Sequence, residues 1–328
     1  MSISVKDVSE LRKATGAGMM DCKEALKESG GDFEGALDVL RKKGQKVAAK
    51  RADRDANEGV VVALLNEEGN CGSLLALSSE TDFVAKNDEF IGFANAIAEL
   101  AASNKAETKE DVLALPFEGM TVAEKLIEKT GVIGEKIEIS DFQVVSGESI
   151  ASYVHAGAKI GVLVCYKDGG KKEQAPGFFR SVAMHIAAMS PSILHPAEFD
   201  EEFVAKETEA LKAQIVSENE TNARENLGKP QKNVPQYASQ RQLTTEVMAQ
   251  AEEAIKAELA AEGKPEKIWD KIVPGKLARF VQDNTLLDQE RCLLSQLYAL
   301  DDSKTVEAAI KDLGDEAEIV AFKRVAVG

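Results

Sequence analysis

The sequence is poor in the residues that most often carry chemistry. Its 328 residues include three histidines, His155, His185 and His195, and none lies beside a plausible nucleophile. The four cysteines, Cys22, Cys71, Cys165 and Cys292, have no neighbours at metal-ligand spacing. A zinc site would have to be assembled from distant segments, and in a reducing compartment all four are expected to be free thiols. No Gly-x-x-x-x-Gly-Lys-Ser/Thr loop, no Gly-x-Gly-x-x-Gly after a strand and no Gly-x-Ser-x-Gly elbow occurs. Hydrolysis and P-loop nucleotide binding are therefore poor readings, and no catalytic residue, metal or cofactor is expected. Long apolar runs are also missing, so no bilayer-spanning helix is expected. Positive charge is in deficit: the net charge is -16, which argues against wrapping nucleic acid or binding an anionic membrane. The start, Met1 to Asp7, offers neither an apolar signal core nor an arginine-rich transit pattern, so a cytoplasmic location is expected.

What is present is enough apolar content, 44%, for two or three packed cores. Residues up to about 48 read as three short helices. Ser4 followed by Asp7 is a helix start, and Val5, Val8 and Leu11 mark one face. Thr15-Gly16-Ala17-Gly18 stops that helix, Met19 opens the next, and Asp32 caps a third carrying Phe33, Ala36, Leu37 and Leu40. Met19 and Met20 read either as core filler or as a soft contact surface. The small unit resembles a ubiquitin-associated type of binding module. The basic run Arg41 to Arg54 reads as a solvated helix end entering a linker, or less readily as an RNA patch, since it lacks interleaved aromatics.

The period then changes. Val60 to Leu65 and Gly72 to Leu77 read as a hairpin turning at Glu68-Gly69-Asn70. Phe90, Phe93, Ala94, Ile97, Leu100 and Ala101 form a helical stripe, Val112 to Leu115 and Val122 to Ile127 suggest further helices, Thr130 to Gly134 reads as a turn, and Ile137 to Val145 reads as a strand. Sliding the chain by 89 positions lays Gly72 on Gly161, Leu74 on Leu163, Phe90 on Phe179 and Ile97 on Ile186, which implies two related subdomains. Between strand and helix, the first copy carries Ser79-Glu-Thr-Asp-Phe-Val-Ala-Lys-Asn87, while the second has Gly169-Gly-Lys-Lys-Glu-Gln174. Phe83 there is either tucked beneath a capped helix start or presented to a partner with Asp82. Its absence from the second copy argues against a cap that the fold requires, and both readings stay open.

Phe203 to Ile215 and Leu243 to Leu259 read as the arms of an antiparallel hairpin around the breaker-rich tip Gly228 to Pro235. Later helices are marked by Ile268 to Leu277 and Val306 to Leu313, and a closing strand begins at Ala317. The expected organisation is α+β. A helical module and linker occupies 1–54 and a core subdomain 55–145. A second core subdomain is split between 146–198 and 264–328, with a coiled-coil hairpin inserted at 199–263.

Leu11-Arg-Lys-Ala-Thr-Gly-Ala-Gly-Met-Met-Asp-Cys-Lys-Glu-Ala-Leu26 and Thr81-Asp-Phe-Val-Ala-Lys86 closely resemble elongation factor Ts. Ile133-Gly134-Glu135, Ser152-Tyr-Val-His-Ala-Gly-Ala-Lys-Ile-Gly161 and His185-Ile-Ala-Ala188 continue the likeness along the chain. The resemblance implies a guanine-nucleotide exchange factor for elongation factor Tu with no active site of its own. It assigns Thr81, Asp82, Phe83 and Val84 to dislodging the partner's magnesium. It assigns further contacts to Arg12, Met19, Met20, Ile133, Gly134 and His155, and implies dimerisation through the hairpin in some members. Two departures stand out. Family members often carry a further helix after the last strand, so its contact is expected to be missing here, and the hairpin is longer than in compact members. The competing readings are an adaptor without effect on a nucleotide and an enzyme using scattered Cys and His residues.

Overall fold

The computed structural model describes residues 3–155, 157–225 and 228–328. Met1, Ser2, Ala156, Asn226 and Leu227, which fall in segments read above, lie outside these. The chain divides into two compact units, one running to Ala187 and completed by Glu318–Gly328, the other comprising Ala188–Ala317.

The first unit opens with α1 (Val5–Thr15), α2 (Met19–Glu28) and α3 (Phe33–Arg51). Ser4 and Asp7 form a reciprocal cap on α1, and the Asp32 carboxylate accepts from the Gly35 N–H at the start of α3. Such caps satisfy amides that a helix start leaves unpaired. The three helices enclose Val8, Leu11, Ala17, Cys22, Ala25, Leu26 and Ala36, which places Cys22 in the module's core. α3 runs on through the basic segment, so most of that segment is helix rather than linker.

β1 (Glu58–Leu65) and β2 (Cys71–Ser79) form the expected hairpin, and β5 (Glu138–Ser146) pairs antiparallel with the other side of β2. Between β2 and β5 come α4 (Asp82–Ala85), α5 (Asp88–Ser103), α6 (Lys109–Ala114), the two-residue strands β3 (Pro116–Phe117) and β4 (Met120–Thr121), and α7 (Val122–Ile133). Phe90, Phe93, Ala94, Ile97 and Ala101 of α5 pack on Val60, Leu75, Leu77, Ile139 and Phe142 of this sheet. The expected turn over Thr130 to Gly134 is instead the last turn of α7. Gly134 ends that helix with φ 79°, a left-handed conformation that costs glycine little. Gly131 lies within the helix because α3 crosses it there: a Cβ on Gly131 would stand 2.5 Å from the Gly44 Cα.

The second sheet of this unit has the order β10-β7-β6, with β6 (Ser149–Val154), β7 (Ile160–Asp168) and the returning β10 (Ala317–Ala326). α8 (Ala175–Met189) follows β7 as α5 follows β2, and Phe179 of α8 stacks on Tyr166. The two sheets share a core of Val61, Leu74, Ala76, Val145, Ile150, Leu163, Cys165, Val325 and Val327. Their contact is reciprocal. A Cβ on Gly72 would meet Leu163 at 3.2 Å, and one on Gly161 would meet Leu74 at 2.9 Å.

The second unit holds α9 (Glu201–Arg224), α10 (Thr245–Ala261), α11 (Trp269–Asp283), α12 (Leu286–Arg291), the short hairpin β8 (Leu297–Tyr298) and β9 (Asp301–Thr305), and α13 (Val306–Leu313). Residues 264–317 thus cluster with the inserted helices, and only the final strand completes the second sheet. The pairing of the arms also differs from expectation. Ile255 and Leu259 of α10 pack on Trp269, Ile272, Val273 and Leu277 of α11, and Lys276 pairs with Glu258 at 2.8 Å. α9 contributes Phe203, Val204 and Leu211 to a separate cluster with Phe199, Ala238 and Leu287. The alanine-rich stripe of α10 is wide enough for one neighbour, and the short connection to α11 supplies it. Among the described residues, no helix is long and apolar enough to cross a membrane.

Candidate functional site

The turn after β2 is held by two carboxylates. Glu135 follows the glycine that ends α7, and it accepts the Thr81 N–H at 3.0 Å and the Thr81 hydroxyl at 2.7 Å. Glu80 closes the other side. Its carboxylate accepts from both directions: Arg51 donates at 2.7 and 2.8 Å, Arg54 at 3.2 Å, and the Lys136 N–H at 2.7 Å. Burial would push the Glu80 pKa up, but the Lys136 N–H and the arginines outweigh it and hold the carboxyl below its ordinary value.

On this base sits the single turn of α4. Its inner side chains, Val84 and Ala85, face the core of the first sheet. Its outer one does not: Phe83 is 84% exposed. An aromatic ring left so far in water forgoes most of its burial free energy, and it is not tucked beneath the helix. Asp82 beside it pairs with Lys86 at 2.7 Å, and the hydrogen bond from that ammonium lowers its pKa, with a smaller push from Lys159. Lys159 belongs to the turn between β6 and β7 that also carries His155, and it pairs with Glu58 at 2.6 Å. His155 is exposed, and its Nδ1 lies 3.0 Å from the Tyr153 hydroxyl.

Beside Phe83 runs a groove of about 220 Å³. Gly16 of the first module, Val84, Phe90, Val132, Ile133 and Lys129 line it, with Phe83 at its edge. Phe83, Val84 and Ile133 are thus gathered at one groove, Thr81 is tied to the segment after Gly134, and Gly16 brings in the loop between α1 and α2. On that module Met19 and Met20 are 57% and 63% exposed at the start of α2, which excludes the core-filler reading. Arg12 is exposed one turn from the end of α1, and its carbonyl accepts from the Gly16 N–H. Arg12, Met19 and Met20 are not among the residues that line the groove. His155 belongs with this cluster only through its neighbour Lys159.

Glu80, Arg51 and the clamping role of Glu135 are not singled out by the sequence. The signal for them was a carboxylate directly before Thr81 and surplus arginines on a helix end, which are as common on solvated faces as in clamps. Among the described residues, no three His, Cys, Asp or Glu side chains converge to hold a metal ion.

Such a surface can engage another macromolecule: rigidly backed, apolar at its tip and bordered by charge, it has the make-up of a contact site in an α+β protein. Comparison with known proteins narrows the class. The family model for elongation factor TS matches residues 80–234 and 231–328. The chain is 70% identical over 326 residues to elongation factor Ts of Rhodopirellula baltica, covering 99% of both proteins. It is 50% identical to elongation factor Ts of Flavobacterium johnsoniae, over 100% of this chain and 99% of that one. It is 46% identical to elongation factor Ts of a Sulfurovum species, over 98% and 93%. The chain belongs to the elongation factor Ts family.

Proposed function

We propose that this chain is a cytoplasmic guanine-nucleotide exchange factor of translation elongation that binds elongation factor Tu loaded with GDP and promotes GDP release. The observation that carries the reading is Phe83, 84% exposed on a turn held by Glu80 and Glu135. GDP is retained through its phosphates and a bridging magnesium, which demands near-octahedral geometry. An exchange factor need not touch the nucleotide. It must bind the nucleotide-free partner more tightly than the loaded one, and linkage then weakens nucleotide binding by the same factor. Phe83 acts as a wedge between the partner elements that surround the metal. Burying its ring contributes roughly 1.5–3 kcal/mol toward the deformation.

Asp82 is a poor chelator, because one carboxylate already paired with Lys86 cannot replace a coordination shell. Its role is to meet the partner at the wedge, with Thr81 and Val84 fixing the turn. Arg12, Met19 and Met20 supply the first module's contact, Ile133 part of the groove's lining with Gly134 next to it, and His155 a contact from the turn between β6 and β7. Self-association through residues 199–263 is a subsidiary reading. The α10 stripe is already covered by α11, so a second copy would have to use α9.

The test is stopped-flow release of a fluorescent GDP from elongation factor Tu with this protein titrated in. Saturable acceleration, lost in Phe83→Ala at equal protein stability, supports the wedge. Binding without acceleration would leave an adaptor, and unchanged release with Phe83→Ala would remove the wedge.

A further inference from the structure

Glu80 joins three parts of the first unit. Arg51 is the last residue of α3, in the module that bears Met19 and Met20. Arg54 lies in the connection to β1. Lys136 follows Glu135, the residue that holds Thr81. The contacts close a ring. Glu80 accepts from Arg54 and from the Lys136 N–H, and the Lys136 ammonium in turn donates to the Arg54 carbonyl at 3.1 Å. The Glu80 side chain is 13% exposed and that of Arg51 is 26% exposed, so the pair is shielded from the water that makes most surface ion pairs weak. A single Arg51 nitrogen, Nη1, donates to both Glu80 carboxylate oxygens at 2.7 and 2.8 Å, so the contact carries charge on both sides.

We propose that Glu80 is a positioning residue: it locks the first module and the Thr81–Val84 turn into one rigid relation, so that the partner GTPase meets module and wedge already in register. The proposal rests on the exchange reading and deepens it. Two contact patches on separate elements give their full joint effect only if geometry lets both engage at once. Ordering them beforehand removes a loss that would otherwise be met on binding. The neighbouring Thr81–Glu135 contact ties the turn to α7, on which α3 is seated at Gly44, whereas Glu80 ties the turn to the end of α3 directly.

The experiment compares the parent with Glu80→Gln and Arg51→Met in the GDP-release assay, resolving the plateau rate from the half-saturating concentration. Glu80→Gln keeps an acceptor for the Lys136 N–H but loses the charge, and Arg51→Met keeps an unbranched side chain but loses the charged donor. We expect each to lower the plateau by roughly tenfold, the factor that a lost hydrogen bond to a charged group implies. The double variant should be no worse than the worse single one, because both remove the same contact. A purely structural defect would reduce the amount of folded protein, which moves half-saturation and leaves the plateau in place. An unchanged plateau in both single variants, beside an active parent, overturns the positioning role alone. An inactive parent overturns the exchange reading and this proposal with it.

Discussion

Replacing Gly131 by alanine tests how closely the first module is seated on the core. Gly44 and Gly131 both lie inside helices, so either change gains about 1 kcal/mol of helix propensity. The steric consequences differ. On Gly131 the new Cβ would stand 2.5 Å from the Gly44 Cα, a backbone atom that cannot rotate away. On Gly44 it would meet the Ile127 carbonyl oxygen at 3.4 Å, at the edge of ordinary contact. Forced overpacking costs about 1–3 kcal/mol. The propensity gain is common to both variants, so their difference isolates the steric cost. We expect Gly131→Ala to be less stable than Gly44→Ala by about 1–3 kcal/mol. For a unit of this size that corresponds to roughly 2–4 °C in Tm per kcal/mol. Urea titration followed by circular dichroism would read it as a lower midpoint at similar slope. Equal midpoints, or a higher one for Gly131→Ala, would show that α3 and α7 do not cross in backbone contact.

Phe83→Ala should change stability by less than about 0.5 kcal/mol, since an exposed ring has little packing to lose; a larger drop in Tm would mean that the ring is covered in solution. Leu259→Ala should cost about 2–5 kcal/mol because the side chain is enclosed between α10 and α11, while Val216→Ala on α9 should stay within about 0.5 kcal/mol. Comparable losses in chemical denaturation would refute that pairing of helices. Asp288 of α12 is buried, and desolvation raises its pKa from 3.8 despite the Gln240 N–H it accepts. A raised acid contributes stability below its unfolded pKa and loses it as pH climbs through the folded value. Thermal melts should therefore show Asp288→Asn gaining on the parent as pH rises above about 4; a flat difference would sink that reading. The carboxyls of Asp7, Asp111 and Glu124, lowered by their cap hydrogen bonds, act with the opposite sign. Their contribution is present at neutral pH and lost as pH falls through their depressed folded values, so removing all three should flatten the acid limb of a melting curve.

Much of the architecture was legible because its signals are local. The Ser4–Asp7 cap, the Asp32 cap, the short apolar runs of β1 and β2 and the spacing of Phe90 to Ala101 each fix an element without distant help. The misread elements depend on tertiary partners. Gly131 looks like a breaker until Gly44 is set against it. The α10 stripe looks ready for α9 until α11, interrupted by Pro274, folds back on it. β6 escaped notice because Ser149 and Ser152 interrupt its apolar positions, and only the pairing with β7 makes it a strand. At the candidate site, Phe83 and Asp82 were readable from the asymmetry of the two copies. Glu80 and Arg51 were not, because 29 residues separate the ends of their contact and each alone resembles a solvated charge.

The reciprocal meeting of Gly72 with Leu163 and of Gly161 with Leu74 has a consequence for valency. Such exchange of equivalent contacts is how two identical subunits meet across a two-fold axis. A true dimer built that way would repeat every surface feature and offer two wedges facing different directions. Here both halves belong to one chain, so each can change without the other. The first half keeps Thr-Asp-Phe-Val and the second replaces it with Gly169-Gly-Lys-Lys. The molecule thus has the packing of a symmetric pair but carries the Thr-Asp-Phe-Val turn once, so on the exchange reading one chain should present one wedge to one partner.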